Sequence, residues 1–440
     1  MAQEGCRNRK APHAESRTGC RGCKWGKPSV VKKSISDIKV AGARVLVRLD
    51  LNVPLSGTGR IEDDLRIGAA MPTLRKLVDA GARTVIMSHM GRPRGSSADR
   101  MRLSLGVVAN KLSKMLRKPV PLAADCVGRP AQLLVEGLQP RNLCMLENLR
   151  FHAEETIKDK DARERPYLRS AKEAFARQIA DLGDVYVNDA FGACHRDNAS
   201  MTTVPAMMAG KPCVMGFLVK RELSLLGHAV KDPRRPFVCL LGGAKVSDKL
   251  GVIRQLLLTC DKILVGGAMA YTFLAAEVRE VGKSLVEQDL LDTARDIRAQ
   301  AGDKLVLPVD SVVAPKIARD VTTKICDGMI PKTMMGLDIG PETIDAYAQF
   351  IEAARTVVWN GPMGVFETEP FDAGTVAMAK ALAAATKHGA TTIIGGGDSA
   401  AAVHKAGLAN KMTHMSTGGG ASLEFLEGKR FGAIDILDDA

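Results

Sequence analysis

The 440-residue sequence reads as an α/β protein of two units, each a mainly parallel sheet covered on both faces by helices. Three observations carry that reading. Short apolar or β-branched runs alternate with longer amphipathic stretches. The alternation occurs twice, with a charged, proline-containing join between the two series. Polar and glycine-rich motifs fall directly after the strand-like runs, where open α/β sheets bind ligands. The length alone exceeds what one ordinary core fills and favours about two domains.

The first series places strands at Val45–Val47, Thr84–Met87, Leu143–Leu146 and Val185–Val187, with helices over Ala69–Ala80 and Ser170–Asp181. Lys220–Leu223 and then Lys231–Pro236 form the join. The second series resumes at Phe237–Leu241, Lys262–Val265, Leu305–Val309, Thr356–Trp359 and Thr391–Ile394. A cleft between two α/β domains follows from this order.

Composition narrows the functional classes. Aromatic residues are only 4% of the chain, too few for stacking on bases to be its main business. The formal net charge of +13 is unevenly spread. Residues 1–33 carry Arg7, Arg9, Lys10, Arg17, Arg21, Lys24, Lys27, Lys32 and Lys33 against Glu4 and Glu15, about half of that excess. The body that remains is modestly basic, as suits an enzyme handling polyanionic metabolites, and no obligatory nucleic-acid partner is expected. Residues 1–33 lack apolar periodicity and read as a disordered basic leader: a targeting peptide, a regulatory tail or a start site placed too early. No run approaches a membrane span, and no apolar segment of signal-peptide type opens the chain. Cys126, Cys144, Cys194, Cys213, Cys239, Cys260 and Cys326 stand singly, as in a reduced compartment, and a cytoplasmic location is expected. Cys20 and Cys23 form one CxxC without a second pair, a poor basis for structural zinc.

In the first half, cationic side chains stand on loops at or near strand ends: Arg66, His89, Arg92, Arg150 and Arg196. A guanidinium fork suits carboxylate and phosphate oxygens. Any one alone reads equally as a solvated surface residue; five at equivalent places make a site for a small, multiply anionic acid. Asp50 and Asn52 are placed to accept from a substrate hydroxyl, or to cap the turn before Pro54.

The second half carries glycine-rich loops: Gly242-Gly243, Gly266-Gly267, Gly395-Gly396-Gly397 and Gly418-Gly419-Gly420, each ahead of an expected helix. Free amides and the helix dipole favour phosphate there. A fifth segment, Asn360–Glu367, is a Gly/Pro turn after a strand. None fits the Walker or dinucleotide signatures. Lys245 and Lys249, four apart, are expected on one helix face. Asp398 is a magnesium-ligand candidate or a helix cap.

Together these segments resemble the phosphoglycerate kinase family from about residue 34 to the end. The resemblance rests on Arg48–Pro54, Ser88–Gly95, Leu146–Glu154, Val187–Ser200, Leu241–Gly251, Val358–Glu367, Ile394–Ser399 and Ser416–Gly428. It implies two Rossmann-like three-layer domains joined by a hinge, at 34–218 and 219–426, with 427–440 packing back on the first. It implies reversible glycolytic transfer of a phosphoryl group from 1,3-bisphosphoglycerate to ADP, giving 3-phosphoglycerate and Mg-ATP, by a monomer. Residue by residue, Asp50, Asn52, Arg66, His89, Arg92, Arg150 and Arg196 are implied to hold the acid. Gly242, Lys245, Lys249, Gly266, Gly267, Asn360, Pro362, Gly364, Glu367, Gly397, Asp398 and Ser399 are implied to bind the nucleotide. Asp398 is implied to hold Mg²⁺. Arg66, Lys249, Gly397 and Gly420 are implied to be catalytic. Leu51 replaces a usual Phe, Ser399 a usual Thr and Cys194 a usual Ala or Thr, and none of these removes a needed charge.

Overall fold

A computed structural model describes residues 31–440, so Cys6, Cys20, Cys23 and nearly all of the basic leader lie outside the described residues. The expected boundary at residue 33 is corrected by three residues. Lys32 forms an antiparallel bridge with Asp439 and an ion pair of 2.7 Å to its carboxylate, and Ala440 N donates to Val31 O. The partner segment is 407 positions away, beyond the reach of local composition.

Strands Arg44–Leu49 (β1), Arg83–Met87 (β2), Leu143–Met145 (β3), Val185–Asp189 (β4) and Cys213–Met215 (β5) form a parallel sheet ordered β3-β2-β1-β4-β5. The later strands are Phe237–Leu241 (β6), Lys262–Val265 (β7), Leu305–Val306 (β8), Asp310–Ala314 (β9), Lys324–Asp327 (β10), Met335–Ile339 (β11), Thr356–Asn360 (β12), Thr391–Gly395 (β13) and His414–Met415 (β14). Six of these make a second parallel sheet ordered β14-β13-β12-β6-β7-β8. A small antiparallel sheet, β10-β9-β11, was not foreseen. The run read as one strand over Leu305–Val309 shortens to Leu305–Val306, because Pro308 has no N–H for a ladder, and the next strand, β9, begins past it at Asp310.

The strands read as near-continuous apolar runs because both faces are covered. Along β1, Val45, Val47 and Leu49 enter one core while Leu46 enters the other, as a period of two requires. Along β6, Phe237, Cys239 and Leu241 face one core, and Val238 and Leu240 the opposite one. The join is mostly one helix, Phe217–Lys231, and the expected division at 218/219 falls inside it. Its Val219 and Leu226 belong to a core that runs continuously from Tyr186 of the first sheet to Phe237 of the second. The chain's last residues lie against the first sheet: Asn188 Nδ2 donates to Ala433 O at 3.0 Å, Cys213 N to Asp438 Oδ2 at 3.1 Å, and Phe431 meets Phe191 edge-on. Among the described residues, no helix is long and apolar enough to cross a membrane.

Candidate active site

Each large sheet has a switch point where the winding of the chain reverses, between β1 and β4 in one and between β12 and β6 in the other. The candidate residues gather at these carboxyl ends. Asp50 and Asn52 follow β1, His89 and Arg92 follow β2, Arg150 follows β3 and Arg196 follows β4. Arg66 departs from its expected loop and lies in the first turn of helix Leu65–Asp79. The helix starts four residues before Ala69 because its buried stripe begins at Ile67.

Arg66 Nη1 donates to Asp50 Oδ1 at 3.1 Å and to Asn52 O at 2.9 Å. Asn52 Oδ1 accepts from Gly91 N at 2.8 Å, and Arg150 Nη1 donates to Gly91 O at 2.7 Å. Asn148, fully buried, accepts from Met90 N and donates to Met90 O and Leu103 O, tying the loops after β2 and β3 together.

The electrostatics of this wall centre on His89. Burial pushes its imidazole well below the ordinary value, and the charges of Arg48, Arg150, Arg196 and Arg66 push it further. Burial and the neighbouring Arg48 and Arg196 likewise bring the Arg150 guanidinium down to about 10. Three predicted arginines therefore converge on one point, and the mutual repulsion marks a place for an anion. Arg92 is exposed on the loop after β2.

Arg48 is the residue that sequence reasoning missed. It is fully buried on β1, donating from Nε to Ser200 Oγ at 2.9 Å and lying 3.0 Å from His89 Nδ1. Glu155, also fully buried, lies 3.9 Å away and accepts from Ser200 N, Ser200 Oγ and Asn198 Nδ2. Since arginine only donates, Nδ1 of His89 must accept, which leaves the proton on Nε2, 3.9 Å from Asp50. The available signal was an arginine inside an otherwise apolar parallel strand.

On the second sheet, Lys249 is buried, with its Nζ bonded to Asn360 O at 3.2 Å and to Asn360 Oδ1. Burial pulls its ammonium down to about 8, offset by the charges of Cys239, Asp248 and Asp398. The expectation that Lys245 and Lys249 share a helix face is corrected. The α-helix begins only at Leu250, so Lys245 lies in the exposed loop while Lys249 closes a 3-10 turn and points inward.

The glycines divide into two kinds. A Cβ at Gly242 would lie 2.0 Å from Pro362 O, one at Gly266 2.5 Å from Met363 Sδ, one at Gly267 2.6 Å from Gly243 N, and one at Gly364 2.3 Å from Asp338 Oδ1. These positions serve the packing of loop on loop, sealed by Gly243 N to Pro362 O at 3.0 Å and Gly267 N to Met363 O at 2.8 Å. Gly397, by contrast, opens helix Gly397–Lys405 with nothing within 4 Å of a Cβ built there. Packing does not demand that glycine, whereas the approach of a phosphate would. Asp398 and Glu367 are exposed, and no hydrogen bond engages the Asp398 carboxylate among the described residues. Ser399 is fully buried and accepts from Gly361 N at 2.6 Å, so its hydroxyl holds the turn of Pro362.

The two walls touch where the loop after β4 meets the last glycine loop. A Cβ on Gly192 would approach Thr417 O to 3.2 Å, and one on Gly418 would strike the Phe191 ring at 2.6 Å. His195 lies 3.8 Å from where a Gly420 Cβ would stand. Among the described residues, Arg150 Nε, His195 Nδ1 and Asn360 Nδ2 are buried without hydrogen-bond partners, a costly state that a polar ligand relieves.

The chain is similar to known proteins over most of its length. The phosphoglycerate kinase family model matches residues 35–429. A phosphoglycerate kinase of Pelodictyon phaeoclathratiforme is 50% identical over 416 residues, covering 93% of this chain and 100% of the relative. That of Synechococcus elongatus is 49% identical, covering 92% and 98%. The solved phosphoglycerate kinase of Coxiella burnetii superposes with a TM-score of 0.79 at 38% identity, and that of Pyrococcus horikoshii with 0.78 at 32%, each covering 92% of this chain and 98% of the other. A match spanning both sheets and every strand-end loop described above means that the chain belongs to the phosphoglycerate kinase family.

Proposed function

We propose that the two strand-end clusters are the acid and nucleotide walls of one active site. The family's reaction, reversible phosphoryl transfer between 1,3-bisphosphoglycerate and ADP, takes place between them. The observation that carries this is that hydrogen bonds gather Arg66, Asp50, Asn52 and Arg150 at the strand ends of the first sheet, while Lys249 and the glycine loops stand at those of the second, the two sets of loops meeting at Phe191 and Gly418. Asp50, Asn52, Arg66, His89, Arg92, Arg150 and Arg196 hold 3-phosphoglycerate or 1,3-bisphosphoglycerate. Lys245, Lys249, Asn360, Glu367 and the amides around Gly397 hold the nucleotide, and Gly242, Gly266, Gly267, Pro362, Gly364 and Ser399 shape its loops.

No side-chain nucleophile or general base is required. An oxygen of the terminal ADP phosphate attacks the acyl phosphorus in line, and the carboxylate of 3-phosphoglycerate leaves with the bond electrons. Both oxygens are already ionised, so no proton moves. The chain's task is to position the two and to neutralise the equatorial oxygens, which we assign to Arg66, Lys249 and the amides of Gly397 and Gly420. Asp398 suits Mg²⁺, as one uncommitted carboxylate at a helix start beside the open space at Gly397. When bound with the nucleotide, that ion supplies charge neutralisation across the phosphates.

With acid and nucleotide on separate walls, the halves at 34–218 and 219–426 must approach each other, with movement about the joining helix. Approach also keeps water from the acyl phosphate. Free cysteines throughout the described chain support a reducing, cytoplasmic setting. A coupled assay of ATP formation tests the assignment. Arg66→Ala is expected to lower kcat about 100-fold or more, the scale of one preorganised transition-state donor. Near-normal turnover in that variant overturns the proposal.

A further inference from the structure

Asp125, Cys126 and His152 lie outside both walls, and phosphoryl transfer gives them nothing to do. Residues 121–123 run beside β3, with Leu122 bridged to Met145 and Ala123 N bonded to Met145 O at 2.8 Å. Asp125 and Cys126 therefore emerge next to the turn after β3 that ends at His152. A carboxylate oxygen, the thiol sulfur and an imidazole nitrogen all lie within 4.8 Å of one another. We propose that these three side chains form a site for one divalent transition-metal ion of zinc type, with a fourth position left to water. Sulfur, nitrogen and oxygen donors in a three-ligand set suit such an ion, and the thiolate disfavours magnesium and calcium.

Binding exchanges an existing hydrogen bond for the ion, its two donors moving apart to about 3.3 Å, the separation of tetrahedral ligands about 2.0 Å from one ion. Asp125 Oδ1 already holds His152 Nε2 at 2.6 Å and Cys126 N at 2.6 Å. The His152 ring is stacked on Phe175 with centroids 5.3 Å apart, which fixes its plane. The Asp125 and His152 side chains keep 31% and 24% of their exposure, giving an ion a way in, while Cys126 forms a fully buried floor. Burial and then the carboxylates of Asp125 and Glu155 push the Cys126 thiol well above its ordinary value, so the ion itself must displace the thiol proton. On binding, the ion replaces the thiol proton, which leaves to solvent. His152 coordinates through Nε2, the nitrogen bonded to Asp125 before the ion arrives, so proton release accompanies binding.

The test is a Co²⁺ titration of the untagged full-length chain with Cys6, Cys20 and Cys23 changed to Ser. One equivalent is expected to raise a near-ultraviolet thiolate-to-cobalt band that Zn²⁺ then abolishes. Calorimetry in buffers of different ionisation enthalpy should report proton release on binding. Cys126→Ser should lose the band, and His152→Gln should weaken binding by more than about tenfold. Absence of the band, its survival in Cys126→Ser, or unchanged affinity in His152→Gln overturns the proposal. Should Cys126→Ser not fold, the partly exposed His152→Gln decides alone.

Discussion

Lys249 is buried at the foot of the glycine loops, and burial brings its ammonium down to about 8. The nucleotide needs the charged form, so kcat/KM for ADP is expected to fall as pH rises through about 8, where the free enzyme loses that proton. Lys249→Arg should carry this limb to higher pH, because a guanidinium stays protonated. Identical profiles for the two proteins would remove Lys249 from nucleotide binding. His89 is pushed down as well. Burial and four arginine charges keep it neutral at pH 7, and an anion among those arginines offsets their repulsion. Nuclear magnetic resonance titration of His89 should show its pKa rising when 3-phosphoglycerate binds, and a constant value would mean that the acid binds elsewhere.

At the scale of loops and helices, the glycines separate packing from chemistry. Gly242→Ala forces a methyl to 2.0 Å from Pro362 O, a rigid backbone atom, so the loops after β6 and β12 must part. The expected result is a loss of stability of about 1–3 kcal/mol, the range for overpacking, read by denaturant unfolding. Gly397→Ala meets no protein atom within 4 Å and lies at the start of a helix, where Ala is well accepted. Its stability should be unchanged while ADP affinity falls at least about tenfold, the effect of one lost amide contact and a filled approach path. A Gly397→Ala protein that binds ADP normally would show that the open space is not used. The same scale explains Arg48. Its strand position places it under the loop of His89, where it orients the imidazole from below.

For the whole molecule, the consequence lies in how the two halves are linked. One core runs through helix Phe217–Lys231 from the first sheet to the second, and the chain's end returns to the first sheet beside Lys32. This bundle of connections joins the two proposed ligand walls, whose loops meet at Phe191 and Gly418. If transfer requires the walls to close, small-angle scattering should show a reduced radius of gyration with 3-phosphoglycerate and Mg-ATP together. Either ligand alone should produce little of that change. Full compaction by one ligand would mean that closure does not await both.

The alternation of strands and helices over most of both large sheets, the mainly parallel pairing and the placement of His89, Arg150 and Arg196 after strands were legible in the sequence. Periodicity and strand-end position are local properties, and parallel α/β sheets place their ligand groups by that rule. Three things were not legible. Arg48 showed only as a charge within an apolar strand, because its value depends on Ser200 and Glu155, far along the chain. Lys245 and Lys249 were separated by where a helix chose to begin. The meeting of Asp125, Cys126 and His152 arises from two segments brought side by side at the edge of β3. Sequence by itself determined which elements form and which motifs end them. Only tertiary structure decided which of those side chains are buried together, because desolvation and mutual charge depend on neighbours that the chain's folding supplies.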